Sequence, residues 1–157
     1  MKLRKIQPKD TEDLWLWRNH PDSRPMFQHT DEIKWEDHLQ FLAKHFEEGV
    51  DHWFVAENDN GTPVGSVALY APNEERDSWE WGRILIDPDE RKQGYGLQML
   101  RLLIDWCLDH GIVHLRSVVY AGNAASLKLH GHLGFRTVAF PGQWEDGRHF
   151  VKLEREL

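Results

Sequence analysis

The stretch Ile84-Leu85-Ile86-Asp87-Pro88-Asp89-Glu90-Arg91-Lys92-Gln93-Gly94-Tyr95-Gly96-Leu97 links two apolar runs through a short polar loop and a Gly-x-Gly. The pattern predicts a strand ending at Asp87-Pro88 and a helix beginning at the glycines. The first N–H groups of a helix lack intrahelical acceptors, and the dipole is positive there. They favour an anion, and a pyrophosphate suits them. Gly94 and Gly96 let the backbone approach phosphates with no Cβ between. Arg91 and Lys92 add counter-charge. Two other phosphate-binding patterns are excluded. A dinucleotide fingerprint needs G-x-G-x-x-G, and position 99 is Met. A Walker A loop needs G-x-x-x-x-G-K-[ST], which the sequence lacks.

Just upstream, Glu80 stands between Trp79 and Trp81. It is either an ordinary solvent-facing strand residue or a carboxylate that its neighbours partly desolvate. Desolvation raises a carboxylate pKa toward a value useful for a base near neutral pH. His130-x-His132 and the pair His110, His114 lack a third ligand at zinc spacing, so no metal is expected. Ser117 and Ser126 have no G-x-S-x-G around them. Cys107 sits in an apolar run and reads as core, not nucleophile.

These groups need a scaffold. Residues 2–6 alternate as a strand, and 9–19 and 31–48 read as helices separated by Pro21 and Pro25. The second helix carries Ile33, Trp35, Leu39, Leu42 and Phe46 on or near one face, and Gly49 is its expected stop. Residues 52–58 and 62–70 flank Asn-Asp-Asn-Gly as a hairpin, and 78–87 extend the meander. A largely buried helix over 94–110 follows, then a strand over 112–120 and a helix over 123–133. Gly134 and Phe135 open another strand, and 148–155 closes the sheet. The order β-α-α-β-β-β-α-β-α-β-β gives an α+β fold around one mixed sheet.

The chain has 157 residues and reads as a single domain over 1–157. Its net charge is −7, which argues against a nucleic-acid binder. No run of about 18 apolar residues occurs, so no membrane span is expected. The start lacks the apolar stretch of a signal peptide, and there is one cysteine. Together these point to a soluble cytoplasmic protein. Five of the eight tryptophans precede residue 80, and they either line an aromatic pocket or fill a bulky core.

Arg91-Lys92-Gln93-Gly94-Tyr95-Gly96 resembles the R/Q-x-x-G-x-G/A signature of the GNAT acetyltransferases, and it follows an Ile-Asp-Pro strand end as in that family. Asn123-Ala-Ala-Ser126-Leu-Lys-Leu129-His130-Gly-His-Leu-Gly134-Phe135 is similar to the family's N-x-x-[AS]-x-x-L-Y-x-x-x-G-F segment. The resemblance implies a mostly antiparallel mixed sheet flanked by four helices and splayed between strands at 83–87 and 113–119. Acetyl-CoA would lie in that cleft as co-substrate, with no metal. Backbone groups near Ile84 and Ile86 would hold the pantetheine arm. N–H groups from Gln93 to Leu97, with Arg91 and Lys92, would bind pyrophosphate. Asn123 and Ser126 would touch the arm from the other side, and Lys128 the adenosine end.

The resemblance also implies transfer of acetyl to an amine. Glu80 lies eleven positions before Arg91, where some family members carry a glutamate base. His130 replaces the family's tyrosine, the proton donor to sulfur. It is then either the acid or only a contact with CoA; Tyr95 and Tyr120 are the nearby hydroxyls. The stretch from Trp15 to His29 resembles a segment shared by amino-sugar and protein N-terminal acetyltransferases, so Trp17, Arg18, Asn19, Phe27 and Gln28 are candidates to line the acceptor pocket. The leading acceptor is a small-molecule amine, with a nucleotide-linked amino sugar favoured. A protein N-terminus and a CoA-binding module without catalysis are the alternatives. A homodimer is compatible with the resemblance.

Overall fold

A computed structural model describes every residue except 140, 141 and 143–145. It contains β1 (Lys2–Lys5), α1 (Thr11–Asn19), α2 (Trp35–Glu48), β2 (His52–Glu57), β3 (Pro63–Tyr70), β4 (Trp79–Ile86), α3 (Tyr95–Asp109), β5 (His114–Tyr120), α4 (Ala124–His132), β6 (Arg136–Ala139) and β7 (Phe150–Glu156). The seven strands form one sheet in the order β1-β2-β3-β4-β5-β7-β6. Every pairing is antiparallel except β4 with β5. The element order is the one expected from the sequence. Among the described residues, no helix is long and apolar enough to cross a membrane.

Two cores form. In the larger, Met99, Leu100, Leu103, Ile104 and Cys107 of α3 pack on Phe54, Val67, Leu69 and Trp81 of the sheet. Each such side chain contributes about 1.5–3 kcal/mol by leaving water. Burial pushes the Cys107 thiol up to about 12, which suits a packing role. In the smaller core, Leu14 and Trp17 of α1 and Leu42 of α2 pack against Trp53, Val55, Ala68 and Leu85.

The structure corrects the reading of α2. The helix starts at Trp35, not at 31. Ile33 is held outside it, where its C=O accepts from Trp15 Nε1 (2.7 Å) and Asn19 Nδ2 (2.9 Å) and its N–H donates to Asn19 Oδ1 (2.8 Å). Of the apolar face read from the sequence, Leu39 and Phe46 are 42% and 43% exposed. The buried residues are His38 and Leu42. His38 tolerates burial because its Nε2 donates to the Thr11 carbonyl at 2.8 Å.

The feature that matters for function lies between β4 and β5. They pair only at Trp79↔Leu115 and Glu80↔Arg116. β5 then stays with β7 through all seven of its residues. β4 instead follows β3 through a bulge, where the register skips between Ser66 and Ala68 and Arg83 takes a left-handed φ of 51°. The bulge bends β4 away, and the two strands part as the sequence resemblance implied.

Candidate functional site

Among the described residues, no strand pairs with β4 on its β5 side beyond Glu80, so backbone N–H and C=O groups around Ile84 and Ile86 lie along an open edge. An extended ligand with amide groups can pair with such an edge as a strand would. The edge leads to the start of α3. There Asp87 Oδ1 accepts from Asp89 N at 3.0 Å and Gln93 Nε2 donates to Glu90 Oε2 at 2.7 Å, which shapes the loop. Lys92 and Gly94 have φ of 63° and 78°, so left-handed residues flank Gln93. Successive N–H groups in such a turn form a concave anion site. Gly94 is the N-cap of α3 and supplies no side-chain cap, so the first-turn N–H groups stay available. These donors fit a diphosphate. Tyr95 and Leu97 are half-buried in that first turn.

The charged residues of the motif divide. Arg91 does not face this turn freely. Its Nη2 donates to Ser23 Oγ at 2.8 Å, and its Nη1 lies 3.9 Å from Asp22. It ties the loop to the segment after α1. Lys92 is exposed beside the turn, and Lys128 is exposed on α4. Asn123 caps α4 by accepting from Ser126 N at 3.1 Å, and both residues line the cleft.

The opening between β4 and β5 widens into a cavity of about 580 Å³. Glu80 lines it at the last paired position, and its Oε2 accepts from Arg116 Nε at 2.7 Å. Trp81, one of the two tryptophans flanking Glu80, turns toward the core and His130.

His130 is completely buried. Its Nε2 accepts from the Trp81 indole N–H at 2.9 Å and lies 3.0 Å from Ser117 Oγ. Its Nδ1 is 2.7 Å from the Ser126 carbonyl, which can only accept. The ring is therefore neutral with its proton on Nδ1. Burial holds it below the ordinary histidine value, partly offset by the Ser126 bond. No N–H of His130 faces the cleft. The ring joins β4, β5 and α4 where backbone pairing has just ended.

Of the N-terminal candidates, the structure brings Arg18, Phe27 and Gln28 to the cavity. It does not bring Trp17, which is 5% exposed in the smaller core, or Asn19, which clamps Ile33. On α1 these three successive residues point in different directions, and only Arg18 faces the opening. Sequence reading missed Arg76 and Arg83, which line the cavity, and Arg148. Arg148 donates to the carbonyls of Phe27 and Gln28, both at 2.7 Å, and so fixes the cavity wall from just before β7. The positive φ of Arg83 has no sequence signal. Among the described residues, no three metal-ligating side chains come together.

Residues 1–136 match the family description "Acetyltransferase (GNAT) domain". The chain belongs to the GNAT acetyltransferase family. It is similar to an L-methionine sulfoximine/L-methionine sulfone acetyltransferase of Pseudomonas paraeruginosa, 31% identical over 53% of this chain and 56% of the relative. An uncharacterised protein of Methanocaldococcus jannaschii is 28% identical over 85% of this chain and 28% of its own length. The chain thus spans little more than half of the one relative and under a third of the other. Among solved structures, a ribosomal-protein-alanine N-acetyltransferase from Brucella melitensis superposes with a TM-score of 0.81 at 23% identity, covering 100% of both chains. A spermidine N-acetyltransferase from Vibrio cholerae in complex with CoA and spermine superposes with 0.85 at 16% identity, covering 99% of this chain and 94% of that one. These two share the GNAT fold with this chain.

Two expectations follow from the geometry. A Cβ on Gly96 would meet Leu129 and Ile86 at 3.5 and 3.8 Å, ordinary contacts, whereas Gly94 holds φ 78°. Gly96→Ala should fit the protein itself and gain about 0.5–1 kcal/mol of stability. Gly94→Ala should lose about 1–2 kcal/mol and weaken CoA binding. Calorimetry and thermal melts check both, and equal loss in the two variants would contradict the assignment of the turn. For His130, the folded pKa lies below that of the unfolded chain, so the unfolded state binds more protons just below the ordinary value. Its contribution to stability is full above about pH 6.5 and is lost as pH falls toward the folded value. His38, His45 and His52 shift the same way. The melting temperature should drop on acidification, and less steeply in His130→Gln. Parallel slopes would remove His130 from the account.

Proposed function

We propose that this chain transfers the acetyl group of acetyl-CoA to the primary amine of a small molecule. The observation that carries this reading is the open β4 edge running into the uncapped start of α3. That arrangement matches a molecule with amide groups at one end of an arm and a diphosphate at the other. Lys92, Gln93, Gly94, Tyr95, Gly96 and Leu97 would hold the diphosphate end, while Arg91, engaged with Ser23 and Asp22, anchors the loop that carries them. The backbone at Ile84 and Ile86, with Asn123 and Ser126, would hold the arm, and Lys128 the adenosine end.

Acetyl-CoA supplies an activated thioester. The amine nitrogen forms the new C–N bond, the C–S bond breaks, and the nitrogen gives up one proton. Glu80 is the proposed acceptor of that proton, directly or through one water, and Arg116 holds its carboxylate in place. A backbone N–H near Ile84, on the bulged strand, is the proposed donor to the developing oxyanion. His130 has two readings from the sequence, the acid that protonates the departing sulfur or only a contact with CoA. We assign it a positioning role instead, because neither ring nitrogen presents a proton to the cleft. The thiolate then leaves unaided or takes a proton from solvent.

Holding both reactants in a reactive geometry can lower a barrier by up to about 7–11 kcal/mol. One general base adds about 10²–10⁴-fold. Losing Glu80 should therefore slow the reaction without abolishing it. Among small amines, the resemblance of the Trp15–His29 segment favours an amino sugar, and the presence of Arg18, Phe27 and Gln28 at the cavity supports that. The named substrate of the Pseudomonas relative makes amino-acid analogues a second group to assay.

Thiol release from acetyl-CoA across a panel of amines tests the reading. The expected result is turnover with a small amine, a kcat about 10²–10⁴-fold lower in Glu80→Gln, and a pH profile moved upward. CoA binding with no thiol release from any amine would favour the binding module without catalysis. Unchanged turnover in Glu80→Gln would remove it as base.

A further inference from the structure

The acceptor side of the cavity has an uneven balance of charge. Arg18, Arg76 and Arg83 line it, against Glu80 and Asp37. Glu80 is already paired with Arg116, and Asp37 is exposed on α2. Among the described residues, neither Arg18 nor Arg83 makes an ion pair with a carboxylate. The Arg18 guanidinium lies 4.0 Å from the centre of the Phe27 ring, and its Nη2 donates to the His29 carbonyl at 2.7 Å. Its Nη1 is buried and has no hydrogen-bond partner among the described residues. Arg83 donates from Nε to Tyr70 Oη at 2.7 Å and lies 4.0 Å from the centre of the Phe41 ring.

Such an arrangement costs stability. A buried guanidinium donor without an acceptor loses its hydration and receives nothing in return. Burial first, and then the charges of Arg83 and Arg24, lower Arg18 to about 10, so it remains a cation at neutral pH among other cations. Arg83 adds backbone strain, because a non-glycine residue at φ 51° is disfavoured. With Nη2 committed to the His29 carbonyl, Nη1 is the donor left for an oxygen of a carboxylate or phosphate when the side chain turns toward the cavity. A polycation would face three guanidiniums here, with Asp37 and the Arg116-paired Glu80 as the lining carboxylates.

We infer that the acceptor is an amine that also carries an oxyanion, and that Arg18, supported by Arg83, binds the oxyanion while the amine faces Glu80. This rests on the acetyl-transfer reading for the amine but not for the anion subsite. The oxyanion is the carboxylate of an amino acid or the phosphate of an amino-sugar phosphate or nucleotide-linked amino sugar. Arg18 acts as a specificity residue that draws the amine into a fixed position.

Matched pairs test this: free amino acids against their carboxamides, glucosamine 6-phosphate and a nucleoside-diphosphate amino sugar against glucosamine, with spermidine as the polycation. Thiol release should favour an oxyanion-bearing member over its neutral partner by about ten- to hundredfold in kcat/KM, and the pair that shows this identifies the source of the oxyanion. Arg18→Gln should reduce the ratio toward one and leave the Kd for CoA unchanged, with Arg18→Lys between. Preference for a neutral amine or spermidine, or a ratio that survives Arg18→Gln, overturns the inference. The same compounds are added to the CoA-loaded protein in thermal melts, which need no turnover. Stabilisation by an oxyanion-bearing member, lost in Arg18→Gln, supports the subsite even if no thiol is released, and that outcome counts against acetyl transfer alone. No stabilisation by any of them overturns the subsite.

Discussion

Two parallel strands part after two paired residues, and the rest of the site depends on that parting. Had β4 stayed with β5, its backbone donors and acceptors would be satisfied and no cleft would exist. Opposing preferences keep them apart. β5 is tied to β7 along its whole length, while β4 bends with β3 through the bulge at Arg83. The unsatisfied edge would be a liability in an ordinary sheet. Here it is placed where a ligand's amides can take the role of the missing strand.

An opening of this kind must keep its width, and three side chains set it. Trp81 from β4 donates to the His130 ring, Ser117 from β5 meets the same nitrogen, and the ring's other nitrogen donates within α4. A buried polar network is costly when incomplete and rigid when complete. This one is complete and sits where the ladder of backbone bonds stops. The histidine in place of the expected tyrosine thus has a structural reason: a neutral imidazole accepts and donates in opposite directions from one buried ring. On the acceptor side the balance differs, since Arg18 keeps a donor that nothing in the described chain satisfies.

Much of the fold was legible because hydrophobic period and turn residues are local signals. The Gly-x-Gly after Ile-Asp-Pro placed the start of α3 within a residue, and the order of strands and helices followed. What failed was decided at long range. The inward face of α2 was misread because His38 is buried by a bond to Thr11 on another helix. Trp17, Arg18 and Asn19 were grouped by sequence, yet the helix sends one to the core, one to the cavity and one to a clamp on Ile33. Arg148 reaches a loop about 120 positions away, which no local pattern encodes. Arg83 owes its place to a bulge that exists only when β3 and β4 are paired.

The central claim is that the amides from Gln93 to Leu97 grip a diphosphate at the foot of the cleft. Residue-resolved amide hydrogen exchange, with coenzyme A and separately with pantetheine, addresses it most directly. The account predicts slowed exchange at Gln93–Leu97 with coenzyme A and none there with pantetheine, which has the arm but no diphosphate. Unchanged exchange with saturating coenzyme A, or equal protection by pantetheine, would contradict it.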